Sequence, residues 1–134
     1  MAHTCFDVEI RDNIAHLRLN RPDSLNTLIP AFWTELPAIV RRIDEEASAR
    51  VIVLSSTGRH FTAGLDLSVL SGHGDGDKVE VGRARANLRR AILRLQDALS
   101  ALEQARMPVL AAIQGGCIGG GVDLTSACDM RYCT

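Results

Sequence analysis

Twice along this chain a short, unbroken apolar run ends in a glycine-bearing turn, and that repetition restricts the fold more than any other feature. Val51 to Leu54 leads into HFTAGLDL, and Val109 to Ile113 leads into GGCIGGGVDL. Apolar runs of this length, bounded by charged and turn-forming residues, read as strands buried on both faces, as in parallel sheets. Helical spacing separates them. From Pro30 to about Glu46, Phe32, Leu36, Ile39, Val40 and Ile43 share one helical face, with Pro37 expected to confine the first turn. From about Val81 to Arg106, Leu88, Ile92, Leu95, Leu99 and Leu102 mark a longer helix. That stripe reads as core facing the sheet, not as a cofactor box.

The flanks complete the pattern. Phe6, Val8 and Ile10 alternate with polar residues, as do Ala15, Leu17 and Leu19, with Arg11-Asp12-Asn13 between them, which predicts a hairpin. SGHGDGDK, residues 71–78, reads as a mobile loop, a short helix starts near the triple glycine, and Met130 to Thr134 begins a last strand. Hairpin, helix, buried strand, helix, buried strand, helix and strand make an α/β chain. At 134 residues it forms one domain that buries roughly two-thirds of its unfolded surface.

Charge and composition remove several function classes. Fifteen Lys and Arg against 16 Asp and Glu argue against nucleic acid or an anionic membrane as partner. No apolar run approaches the ~20 residues of a membrane helix. MAHTCFDVEI has neither the basic start and apolar stretch of a secretory signal nor the character of an organelle presequence, so the cytosol is expected. Cys5, Cys117, Cys128 and Cys133 form no CxxC pair and the four histidines are scattered, so no metal site is expected. The cysteines read as reduced, mostly small buried residues.

The chemistry gathers at the two turns. Ligands of open α/β sheets bind at the carboxyl ends of strands, where glycine admits a close approach to the backbone and helix N-termini leave amides unpaired. A dinucleotide fingerprint and a P-loop are both absent from the glycine cluster. Either cluster alone is compatible with a mere tight turn. Asp123, in the first turn of the helix after the glycines, is compatible with a carboxylate favoured by the helix dipole or with a catalytic acid. Asp66 reads as a helix cap or a substrate contact, with the cap preferred, and Asp129 and Arg131 read as structural.

Together, NRPDSLNTLIPAFW, RHFTAGLDL, PVLAAIQGGCIGGGVDL and SACDMRYC resemble the crotonase (enoyl-CoA hydratase/isomerase) superfamily in order and separation. The last two segments are most similar to its Δ3,5-Δ2,4-dienoyl-CoA isomerase branch. The resemblance spans essentially the whole chain and implies a crotonase-like ββα spiral fold, of which residues 1–134 are the N-terminal, C-terminally truncated part. It implies an acyl-CoA enzyme of fatty-acid β-oxidation that uses no cofactor and takes a coenzyme A thioester as substrate, assembled as a homo-trimer or hexamer.

Carried over by position, the amides of Leu65 and Gly120 would form an oxyanion hole for the thioester carbonyl. Ala63, Gly64 and Asp66 would line the acyl-CoA groove, and Ser24, Leu25, Asn26 and Thr27 lie where the family contacts CoA. In the isomerase branch an aspartate occupies the position of Asp123, where typical hydratases have glutamate. Two further acidic residues of the family's isomerases come from a segment that would follow Thr134. Enoyl-CoA hydratase and a non-catalytic acyl-CoA-binding fragment are the alternatives.

Overall fold

The hairpin forms where the alternation places it, with β1 (Phe6–Arg11) antiparallel to β2 (Ile14–Leu19). The structure, a computed structural model, describes residues 3–71 and 80–134. The loop expected over residues 71–78 therefore lies, beyond Ser71, outside the described residues. After β2, Pro22–Ser24 make a 3-10 turn, and α1 (Phe32–Glu46) leads to β3 (Val51–Ser56). Beyond β3 lie a single helical turn, α2 (Ser68–Ser71), and the long α3 (Val81–Gln104). The chain then runs through β4 (Val109–Ile113), α4 (Gly120–Ser126) and β5 (Met130–Cys133).

The five strands lie in the order β1-β2-β3-β4-β5, and every pair after the hairpin is parallel. Because this order never reverses, right-handed crossovers carry the connecting helices to the same side of the sheet. Burial follows from that. Ala15, Leu17, Leu19, Ile52, Leu54, Val109 and Ala111 are buried, while His16, Val53, Leu110, Ala112 and Tyr132 on the other face are half-buried or exposed. The expectation that β3 and β4 are buried on both faces is thus corrected: each is buried on one.

Helix α1 buries Phe32, Leu36, Pro37, Ile39, Val40 and Ile43, and the Phe32 ring stacks on Phe6 with centroids 5.5 Å apart. Pro37 does not confine the first turn but sits inside the helix. Interior proline costs about 3 kcal/mol in lost hydrogen bonding and clash, and burial of its ring offsets part of that. Just past the end of α3, Arg106 donates from its amide and from Nε to Oδ1 of Asp44 in the last turn of α1, each at 3.0 Å, and from Nη2 to the Asp44 carbonyl.

Helix α3 departs most from its sequence reading. Of the five-residue stripe only Leu102 is buried, Leu99 packs against the core edge, and Leu88 and Ile92 are 48% and 46% exposed. The reason is length. Twenty-four residues of helix span about 36 Å at 1.5 Å per residue, whereas the six-residue β3 spans about 20 Å. The first half of α3 overruns the sheet.

Candidate functional site

Past the ends of β3 and β4 the backbone pairs again in a small parallel layer. Phe61 donates its amide to Gln114 O at 2.9 Å, Thr62 to Gly116 O at 3.2 Å, and Ile118 returns a bond to Thr62 O at 3.1 Å. On the other side of the same segment, Leu28 N donates to Gly64 O at 2.8 Å and Asp66 N to Leu28 O at 3.2 Å. Leu28 therefore brackets Leu65, and the two glycine turns lie next to each other.

This pairing fixes where the Leu65 amide points. A trans peptide carries its C=O and N–H on opposite sides, so Gly64 O turned towards Leu28 leaves the Leu65 N–H facing away from Leu28. Among the described residues it donates to no protein acceptor, and neither does the amide of Gly120. Gly120 is the first residue of α4, where amides have no intrahelical partner. Gly64 has φ 91°, and a Cβ there would lie 2.5 Å from Ile118 O and 3.3 Å from Gly120 N. A Cβ on Gly120 would lie 3.6 Å from Leu65 N. At Gly64 only glycine lets the turns approach this closely.

Both amide-bearing residues line an open cleft of about 350 Å³ that also reaches Asp123. Trp33, Ile92, Leu95, Leu99 and Gln96 supply the rest of its wall. Trp33 is anchored by an edge-on contact with Phe32, centroids 5.1 Å apart, and its Nε1 donates to Leu28 O at 3.4 Å. Asp123 is exposed and, among the described residues, is the one acidic residue in the lining. Its carboxylate forms no hydrogen bond or ion pair among the described residues.

The other residues singled out in the sequence divide by role. Asp66 is a cap: Oδ1 accepts from Ser68 N at 3.0 Å and Oδ2 from Thr27 Oγ1 at 2.9 Å. The Ser68 side chain and amide, with the Thr27 hydroxyl, hold its carboxyl below the ordinary carboxylate range. Asn26 departs from a ligand-facing placement. It is 2% exposed, and its side chain accepts from Arg21 N and donates to Thr57 O and His60 O, which pins the loop. Ser24 and the half-exposed Leu25 remain on the surface beside it, and Leu25 O accepts from Ala63 N at 3.0 Å. Asp129 and Arg131 are structural, as expected: Asp129 accepts from Val109 N, and Arg131 donates to Thr125 O and Cys128 O at the end of α4.

The sequence reading missed two sets. Ile92, Leu95 and Leu99 read as core yet wall the cleft together with Trp33, which the sequence reading gave no role, and the signal for the α3 members was a stripe longer than any strand could cover. Thr62, fully buried between the two turns, carried no sequence signal. The cysteines are free: Cys5 and Cys128 are buried, Cys117 is half-buried and Cys133 exposed. Burial pushes the thiols of Cys5 and Cys128 up to about 11.

The profile of the family described as "Enoyl-CoA hydratase/isomerase" matches residues 9–134. The chain belongs to that family. It is 45% identical over 124 residues to the peroxisomal Δ(3,5)-Δ(2,4)-dienoyl-CoA isomerase of Arabidopsis thaliana, covering 91% of this chain and 45% of the relative. It is 43% identical to the mitochondrial Δ(3,5)-Δ(2,4)-dienoyl-CoA isomerase of Rattus norvegicus, covering 91% and 38%. The chain thus spans less than half the length of these relatives. The crotonase fold is found again in solved structures. An enoyl-CoA hydratase from Mycobacterium smegmatis superposes with a TM-score of 0.80 at 26% identity, over 97% of this chain and 47% of that one. A Thermobifida fusca YX family structure in complex with acetoacetyl-CoA gives 0.80 at 27% identity, over 97% and 51%.

Proposed function

We propose that this chain binds an acyl-CoA thioester with its carbonyl oxygen held by the Leu65 and Gly120 amides, as part of a dienoyl-CoA isomerase of fatty-acid oxidation. The observation that carries the reading is the pair of unpartnered amides beside one apolar cleft that ends at Asp123. Removing a proton along a conjugated thioester moves negative charge onto the carbonyl oxygen. Donors aimed at that charge are worth about 3 kcal/mol each in the transition state. The acyl chain runs between Trp33 and the Ile92, Leu95 and Leu99 side of α3, and Asp123 moves the proton. Ser24, Leu25 and Thr27 lie on the CoA side of the groove, with Ala63 and Gly64 contributing backbone. The identities to named dienoyl-CoA isomerases support isomerisation over hydration.

One observation favours a second reading, acyl-CoA binding without turnover. An isomerase takes a proton at one carbon and returns one at another, and among the described residues Asp123 is the one acid in the cleft wall. Calorimetric titration with an acyl-CoA, run beside an ultraviolet assay of 3,5-dienoyl-CoA isomerisation on the same 134-residue chain, separates the readings. Binding without turnover selects the second. Turnover abolished by Asp123→Asn selects the first, and no acyl-CoA binding defeats both. No helix among the described residues is long and apolar enough to cross a membrane. A cytosolic compartment and a trimeric or hexameric assembly belong to the same proposal, checked by fractionation and light scattering.

A further inference from the structure

Thr62 lies outside the cleft lining, yet four backbone segments meet on it. It is 0% exposed. Its Oγ1 donates to Asn26 O at 2.6 Å and accepts from Gly64 N at 3.1 Å. Its own amide and carbonyl bond to Gly116 and Ile118 on the second glycine turn. Its methyl reaches the start of α4, where a Cβ on Gly121 would lie 2.4 Å from Thr62 Cγ2. A hydroxyl has one hydrogen to donate and lone pairs to accept with, and here both functions are taken by buried backbone groups.

We infer that Thr62 is the positioning residue that aligns the Leu65 and Gly120 amides, acting through its hydroxyl on the first turn and through its backbone on the second. The inference rests on the oxyanion reading above. The hydroxyl fixes the peptide entering Gly64, and Leu28 fixes the one leaving it, so the Leu65 N–H is held from both sides. Without the hydroxyl, Gly64 N and Asn26 O are left buried and unpaired, and the turn must shift to reach new partners. Hydrogen-bond donation to an oxyanion is lost over small displacements because distance and angle both matter. The acyl-chain wall of Trp33, Ile92, Leu95 and Leu99 does not include Thr62, so binding persists while carbonyl polarisation falls.

The test is infrared difference spectroscopy of a hexadienoyl-CoA labelled with ¹³C at the thioester carbonyl, bound to the 134-residue chain. Wild type should lower the carbonyl stretch relative to free ligand. Thr62→Val, which keeps the shape and removes the hydroxyl, should bind but lose most of that lowering, whereas Thr62→Ser should retain it. Full lowering in Thr62→Val, or its loss in Thr62→Ser, overturns the inference. If circular dichroism shows Thr62→Val unfolded, Thr62→Cys, whose thiol is only a weak donor and acceptor, takes its place and should lose part of the lowering; full lowering there overturns the inference. A wild-type complex with an unshifted carbonyl would instead refute the oxyanion reading itself, which separates the two failures.

Discussion

Replacing Gly120 with alanine adds one methyl group where the two glycine turns face each other. The new Cβ would sit 3.1 Å from Leu28 Cδ1 and 3.6 Å from the Leu65 amide nitrogen. Gly120 opens α4 and has no left-handed φ, so the backbone accepts alanine. Helix propensity favours alanine over glycine by about 1 kcal/mol, and a methyl-to-methyl contact at the flexible end of Leu28 takes back a similar amount. Stability should therefore change by less than about 1 kcal/mol. An oxygen about 3 Å from both amide nitrogens, however, competes with that methyl for space. Losing one neutral hydrogen bond, about 1 kcal/mol, raises Kd roughly fivefold. In the transition state the same donor is worth about 3 kcal/mol, on the order of 10²-fold in rate. Thermal melts and calorimetric titration with octanoyl-CoA on both chains give the two quantities separately. An unchanged Kd in a fully folded Gly120→Ala chain would refute the placement of the carbonyl between these turns.

Four other outcomes follow from the same geometry. Gly64→Ala should destabilise the fold by about 2 kcal/mol or more through its φ of 91° and the 2.5 Å approach to Ile118 O, read as a lowered denaturant midpoint. Asp123→Asn should leave stability within about 0.5 kcal/mol, because an exposed carboxylate without partners contributes little, and it should remove whatever isomerisation the chain supports. Trp33→Ala removes the Phe32 contact and the bond to Leu28 O; it should cost about 2–3 kcal/mol and weaken long-chain acyl-CoAs more than acetyl-CoA in competition titrations. Cys5 and Cys128 titrate near 11 when folded against 9.0 unfolded. Their contribution is therefore complete below pH 9 and lost as pH rises towards 11, so melting temperature should fall over that window and fall less in Cys128→Ala.

How much of this was legible in the sequence depended on whether one periodicity had one cause. The apolar run between Pro108 and a glycine turn bounds β4 as Val109–Ile113, because such a run admits few other readings. The hairpin was equally plain from its alternation. For α3 the stripe had two causes: Leu102 faces the core, whereas Ile92 and Leu95 face a cleft, and spacing alone does not separate them. Leu65, Gly120 and Asp123, named together from a family resemblance, meet at one cleft. Asn26 and Thr62 show the limit. Their roles arise from hydrogen bonds across 31 and 36 residues of chain, to Thr57 and between each other, and nothing local announces such partners.

The central claim is that the Leu65 and Gly120 amides share one oxygen of an acyl-CoA thioester. It is tested most directly by ¹H–¹⁵N correlation spectra of the 134-residue chain titrated with octanoyl-CoA, with desulfo-CoA as the ligand that lacks the thioester carbonyl. The account predicts downfield proton shifts at Leu65 and Gly120 together, saturating with the same Kd, and absent with desulfo-CoA. Saturating acyl-CoA binding that leaves either amide unshifted, or shifts both equally with desulfo-CoA, would contradict it.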